Sequence, residues 1–151
     1  RLPVASLLSV GVAIVATTVF ATTVRPLSAP VRLARLFETM PQETVLVARG
    51  YTEPSLIFYA DAFWNLDGDP PGREMLEGDR PLLFLYRAGE TGLDRIFRPG
   101  GRATADSTVD EAIERAAVPR FLRDSDLERT VVRGFNFARS TWTELVVFYR
   151  R

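Results

Sequence analysis

From Leu2 to Val24 the chain runs for 23 residues without one charged side chain. At about 1.5 Å of rise per residue, a helix over this stretch is about 34 Å long, enough to cross a hydrocarbon core of about 30 Å. A helix pairs every backbone N–H and C=O within itself, which is the condition for living in lipid. Two other readings compete. A signal peptide also opens with a charge and an apolar run, but its apolar core is about 7–15 residues long, and no clear A-x-A site precedes the rest of this chain. A helix buried on all sides needs more protein around it than 151 residues readily supply. The expectation is a transmembrane helix over residues 1–27 and a soluble α/β domain over residues 28–151. Arg1, not Met, stands first, and further chain is expected before it.

Composition narrows function by exclusion. Basic and acidic residues number 19 each, for a net charge of +0, whereas nucleic-acid binding needs a clustered positive excess. All the basic residues are Arg; the missing Lys reads as compositional bias, and it removes Schiff-base chemistry and a P-loop lysine. With no His and no Cys there is no Ser-His-Asp or Cys-His pair, no zinc site of the usual ligands and no disulfide. Any chemistry within this stretch falls to Asp, Glu, Tyr, Ser, Thr and Arg. Lack of Cys suits either side of a membrane.

Past the apolar run, Arg25–Pro30 reads as a turn-rich linker. Leu33, Leu36, Phe37 and Met40 then recur at helical spacing, with Ser28 as a cap and Pro30 in the first turn. This basic, amphipathic helix either lies on a membrane surface or packs on the sheet of the domain. Thr44–Ala48 reads as a buried strand. Tyr51–Ala60 is open between a helix started by Pro54 and a strand over Leu56–Tyr59. Ala62–Leu66 reads as a short strand, 67–72 as a loop, Arg73–Glu77 as a helical turn and Pro81–Tyr86 as a buried strand. Leu93–Phe97 is expected to be a short helix, followed by a Gly-rich loop over 98–105.

Thr108-Val109-Asp110-Glu111 has the form of a capping box, and Val109, Ala112, Ile113, Ala116 and Ala117 make one apolar stripe behind it. The β-branched and aromatic segments Thr130–Ala138 and Trp142–Tyr149, about three residues apart, predict an antiparallel hairpin whose second strand is covered on both faces. The sum is a small α/β sandwich with a mixed sheet ending in that hairpin.

Asp67-x-Asp69 has the form of a paired-carboxylate metal site, and equally of a solvated turn before Gly. Asp124-x-Asp126 reads as a turn cap. No Gly-rich phosphate loop has a strand–helix setting. The expectation is no metal site, no catalytic residue and no cofactor in this fragment.

The most specific stretch is Gly50-Tyr51-Thr52-Glu53-Pro54-Ser55-Leu56-Ile57-Phe58-Tyr59. Together with Val132-Arg133-Gly134-Phe135-Asn136-Phe137 and the apolar strand Leu145–Tyr149, it resembles the C-terminal region of bacterial polyprenyl-phosphate-sugar glycosyltransferases of the aminoarabinose-transferase and protein-mannosyltransferase type. There a Gly-Tyr-x-Glu-Pro-Ser-Leu-x-Phe-Tyr run follows the first strand after the last membrane helix, and a Gly-Phe-Asn-Tyr strand closes the domain. Phe137 departs from the usual Tyr, and Arg139-Ser140 from a Gly-containing turn.

The resemblance implies an extracytoplasmic accessory domain of an integral-membrane enzyme at the bacterial inner membrane. That enzyme transfers a sugar from a polyprenyl phosphate to lipid A, protein or another acceptor, by inversion. Its catalytic Asp sits in an upstream loop outside this fragment, and any divalent metal is expected in the parent. The implied partners are membrane lipid, the transmembrane part of the same parent chain and the polyprenyl-phosphate sugar, with no nucleic acid. Tyr51, Glu53, Ser55, Arg133 and Asn136 are the candidate substrate-binding residues. Each has a structural alternative: Glu53 at the positive end of a helix, Arg133 and Asn136 satisfying neighbours within the fold.

Arg25, Arg32 and Arg35 follow the apolar run, and positive charge favours the cytoplasmic side; the resemblance implies the opposite side. The rival function is a single-span, membrane-anchored interaction module without catalysis.

Overall fold

The computed structural model describes residues 4–19, 22–23, 27–54, 56–57, 65–66, 73–92, 108–136 and 138–151. Helix α1 covers Val4–Val19, and every described side chain from Ser9 to Val19 is exposed. The expected transmembrane helix over 1–27 is not supported. The 16 described residues of α1 span about 24 Å against about 30 Å of hydrocarbon. Among the described residues no helix is long and apolar enough to cross a membrane. The Thr-rich end turns its hydroxyls back on the i−4 carbonyls, Thr18 Oγ1 donating to Ile14 O at 2.8 Å and Thr22 Oγ1 to Thr18 O at 2.7 Å, a pattern that bends helices. Thr22 and Thr23 have π-helical backbone.

Among the described side chains, burial begins at Ser28, which is 6% exposed. Helix α2 (Ala29–Phe37) buries Ala29, Pro30, Leu33 and Ala34 and packs on strand β4 (Glu128–Asn136) of the sheet. The sheet-packing alternative for this helix therefore holds over the membrane-surface one. Ser28 occupies the N-cap position, but its side chain makes no capping bond; instead it bridges to Phe135 through the backbone.

Five strands form one sheet in the order β2-β1-β3-β5-β4. The others are β1 (Val45–Arg49), β2 (Asn65–Leu66), β3 (Leu82–Gly92) and β5 (Thr141–Arg150). β1 runs parallel to β2 and β3, while β5 runs antiparallel to β3 and β4, so the mixed α/β sheet ending in a hairpin is as expected. β5 is an interior strand between β3 and β4, with Thr143 to Tyr149 buried without interruption; a strand covered on both faces reads as a continuous apolar run.

Alternation splits the core in two. Leu83 and Leu85 of β3 join Leu145 and Val147 of β5 under α2, together with Tyr51 and Leu56. Phe84, Val146 and Phe148 face α3 (Val109–Arg115) and α4 (Arg120–Arg123), with Ile113 and Leu122.

Helix α3 starts on the expected capping box. Thr108 Oγ1 accepts from Glu111 N at 3.3 Å, and Glu111 Oε2 from Thr108 N at 3.1 Å. Pro54, Leu56 and Ile57 are helical, which favours the helix reading of that stretch over the strand; a 3₁₀ turn covers Arg73–Leu76. β3 runs to Gly92, well beyond the Tyr86 expected from its apolar core. The expected helix over 93–97 and the loop over 98–105 lie outside the described residues.

Gly134 shows why a glycine stands in the second motif. A Cβ there would lie 2.4 Å from Ala29 N and 2.5 Å from Ala29 Cα. The first turn of α2 rests on bare backbone of β4, and any side chain would lift it away. The hairpin joins β4 and β5 through a four-residue loop, Asn136 pairing with Thr141, and Phe135 meets Trp142 edge to face at 5.7 Å.

Candidate functional site

The chain passes from β1 to β2 on one side and then to β3 on the other side of β1. Where the direction of winding reverses in this way, open α/β sheets form a crevice outside the carboxyl ends of the strands. Here that edge holds Arg49 and Gly50 at the end of β1 and Tyr86 to Glu90 on β3. Gly50 has φ +71°, a left-handed conformation that suits glycine, and it turns the chain off β1 so that Tyr51 folds back over the α2 face.

A bulge shapes the β3 side. Arg87 pairs with Leu145, but Gly89 pairs with Glu144, so Ala88 is an extra residue in the ladder. The inserted residue shifts the alternation and places Glu90, opposite Thr143, on the same face as Arg87. Without it, residues three apart on a strand point to opposite faces.

Six polar groups result on the α2 side of this edge. The Tyr51 hydroxyl donates to Glu53 Oε2 at 2.7 Å. Arg87 Nη1 lies 3.1 Å from Glu90 Oε1, and Arg139 Nη1 lies 3.6 Å from the same oxygen. Asn136 Oδ1 accepts from Arg139 N at 3.0 Å, so this amide, 1% exposed, holds the hairpin loop closed. Burial, the bond to Glu53 and the charges of Glu53 and Glu90 push the Tyr51 phenol far up, with only Arg139 opposing. Tyr51 is therefore a donor at any ordinary pH and never a base.

The space among these groups is about 10 Å³, close to what one water needs and far below a pocket for a sugar ring. In this form, the cluster offers a ligand its outer surface, where Thr52 and Arg139 are exposed. Two carboxylates matched by two guanidiniums make it neutral. Among the described residues no group of three or more acidic, His or Cys side chains is placed to hold a metal. Asp67 and Asp69 lie outside the described residues; Asp124 is exposed at the end of α4.

Of the five candidate residues, Tyr51, Glu53 and Asn136 meet in this cluster. Ser55 lies outside the described residues. Arg133 goes elsewhere: opposite Glu144 in the ladder, it projects to the α3 face. There Arg133 Nε lies 2.8 Å from Glu144 Oε1, and Arg115 binds the other carboxylate oxygen. The Arg133 carbonyl accepts from Arg32 Nη1 at 2.7 Å. This residue ties β4 to β5, α2 and α3.

The sequence reading missed Arg87, Glu90 and Arg139. A glycine inside a strand pattern, Gly89, was the available sign of a bulge. It also missed Glu144, whose place at the head of an unbroken apolar run signals a charge that must find partners.

No family model, no curated protein and no solved structure matches this chain.

Proposed function

We propose that this chain is the C-terminal accessory region of an integral-membrane glycosyltransferase of the bacterial inner membrane. The parent moves a sugar from a polyprenyl phosphate to lipid A, protein or another extracytoplasmic acceptor, and residues 28–151 face the periplasm. The uncovered apolar surface of α1 meets lipid and neighbouring membrane segments of the parent. Catalysis, with its Asp and any divalent metal, belongs to the upstream part; the accessory region positions or stabilises it.

One observation carries this reading. The two stretches on which the resemblance rests lie far apart in sequence yet meet at one end of the sheet, Tyr51 and Glu53 from the first beside Asn136 from the second. Shared packing gives a physical reason for the two motifs to occur together. The closed, neutral cluster fits an accessory role better than a catalytic one, since it has no room for a sugar.

The test is sugar transfer from a polyprenyl-phosphate sugar. Membranes with the full parent should transfer, a parent cut before Ser28 should lose most activity, and the 151-residue chain alone should transfer nothing. Transfer by the isolated chain overturns the assignment of catalysis upstream. A parent reading frame without further apolar spans and an acidic outer loop replaces this reading with the non-catalytic interaction module.

A further inference from the structure

The outer edge of β4 is open over its first half. β4 ends the sheet, and its nine residues pair with β5 without a bulge. Arg133 turns its carbonyl away from β5, where it accepts from Arg32 Nη1 of α2. In an antiparallel ladder the N–H and C=O of one residue point to the same side, and the side alternates along the strand. Arg129 and Val131 therefore also present their N–H and C=O outward. Among the described residues none of these four groups has a backbone partner.

Such an edge is a template for another strand, and proteins guard it with proline, a bulge, charge or a cover. The guards here stand at one end. The first turn of α2 rests on Gly134, Ser28 bridges to Phe135, and Arg32 occupies the Arg133 carbonyl. Glu128 to Val132 has neither proline nor bulge, and Arg129 leans toward Asp110 of α3, 3.9 Å away.

We propose that two copies of this chain join at this edge, β4 against β4, antiparallel about a two-fold axis through Thr130. The register follows from the open groups and the charges. Outward residues meet outward residues over this stretch when the axis passes through Arg129, Thr130 or Val131. An axis at Arg129 sets that residue against its own copy, and an axis at Val131 sets it against the partner's Arg133. Both oppose like charges directly, which is destabilising. An axis at Thr130 sets Arg129 against the partner's Val131 and Glu128 against the partner's Val132, so each charge faces a valine. The Arg129 N–H then donates to the partner's Val131 carbonyl, and the Val131 N–H to the partner's Arg129 carbonyl. Symmetry repeats both bonds, and all the open groups are used. The pairing needs residues 128–132 alone, short of the Ser28 and Arg32 guards. Its small area makes the association weak and dependent on concentration. The inference goes beyond the sugar-transfer reading and stands or falls without it.

The chain has no cysteine, so an introduced one reports position cleanly. The test uses the full 151-residue chain in detergent micelles. Thr130→Cys stands on the axis, with its copy about 4.5 Å away between Cα atoms, within disulfide reach. Glu128→Cys lies four residues along the strand from its copy, about 13 Å, beyond that reach. Oxidation should link the first into dimers and leave the second unlinked. Val131→Pro removes an outward N–H, a place where an edge strand tolerates proline. By symmetry it removes two bonds, and sedimentation equilibrium should show dimerisation weakened about tenfold or more. Circular dichroism melts check the fold, and if the proline variant unfolds, the cysteine contrast decides alone. The apolar surface of α1 is the competing source of association. It would link the two cysteines equally and leave a folded Val131→Pro chain as dimeric as the native one. Either result overturns the proposal, as does a native chain that stays monomeric at every concentration or a Thr130→Cys chain that does not link.

Discussion

Arg87 and Glu90 stand three residues apart on one strand, yet their side chains meet at 3.1 Å on the same face of the sheet. The extra residue at Ala88 brings this about. The bulge gathers charge at the carboxyl end of β1 and β3, and the hairpin adds Arg139 to it from the far end of the domain.

The two buried-to-surface glutamates should differ in their importance to stability. Glu90 pairs with Arg87 and Arg139 at the rim, where all three side chains are solvated, and Glu90→Gln should cost less than about 1 kcal/mol. Glu144 is 7% exposed between Arg115 and Arg133, which are 41% and 30% exposed. Glu144→Gln leaves two guanidiniums without their shared anion and should cost about 2 kcal/mol, the partial exposure of both arginines keeping it below a fully buried pair. Urea unfolding of the two variants checks the order.

Gly134→Ala should be among the most damaging single-methyl additions in the domain. The new Cβ meets backbone of Ala29, which has no rotamer to change. A cost of about 2–3 kcal/mol is expected from overpacking, read as a lower denaturant midpoint with α2 displaced from β4.

Ser140→Gly should stabilise the hairpin. Ser140 has φ +52° in the loop, a left-handed conformation that costs an L-residue about 1–2 kcal/mol. Glycine removes that strain but loses about 0.5–1 kcal/mol through the freer unfolded chain. The net gain is about 0.5 kcal/mol, seen as a small rise in melting temperature. The turn thus keeps a backbone geometry that favours glycine.

Alkaline pH should weaken the fold, with Tyr51 responsible for part of the loss. Its phenol is pushed up from an ordinary value of 10.0. A raised value means that the folded state holds the proton more tightly than the unfolded state. The resulting stability is fully present below about pH 10 and drains away above it. Tyr51→Phe should be less stable than the native chain at pH 7, by about 1–2 kcal/mol, through loss of the bond to Glu53. It should also fall less steeply between pH 10 and pH 11. A pH series of melting temperatures for the two chains reads both effects, and an equal slope would count against this origin.

Features that depend on neighbours a few residues apart were open to reading from the sequence. The capping box at Thr108 and Glu111 closes within one helical turn. The apolar runs at 45–48 and 145–149, and the hairpin that joins β4 to β5, are set by side-chain type and short loops. So is the helical stripe of α2, although the stripe could not say whether sheet or membrane covers it. The uncharged run at the start of the chain marked apolar surface correctly, since the described side chains of α1 from Ser9 to Val19 are exposed.

Facing and convergence belonged to the tertiary structure. Strand side chains alternate with a period of two, so one inserted residue reverses everything after it. The bulge at Ala88 is such an insertion, and it decides that Glu90 joins Arg87. The same parity sends Asn136 toward Tyr51 on one face and Arg133 toward Glu144 on the other, although the two residues share one short motif. Sequence determined which segments become strands and which residues carry charge. Ladder register and the crossing order β2-β1-β3 decided which of those charges meet, because they are set by pairing between segments far apart in the chain.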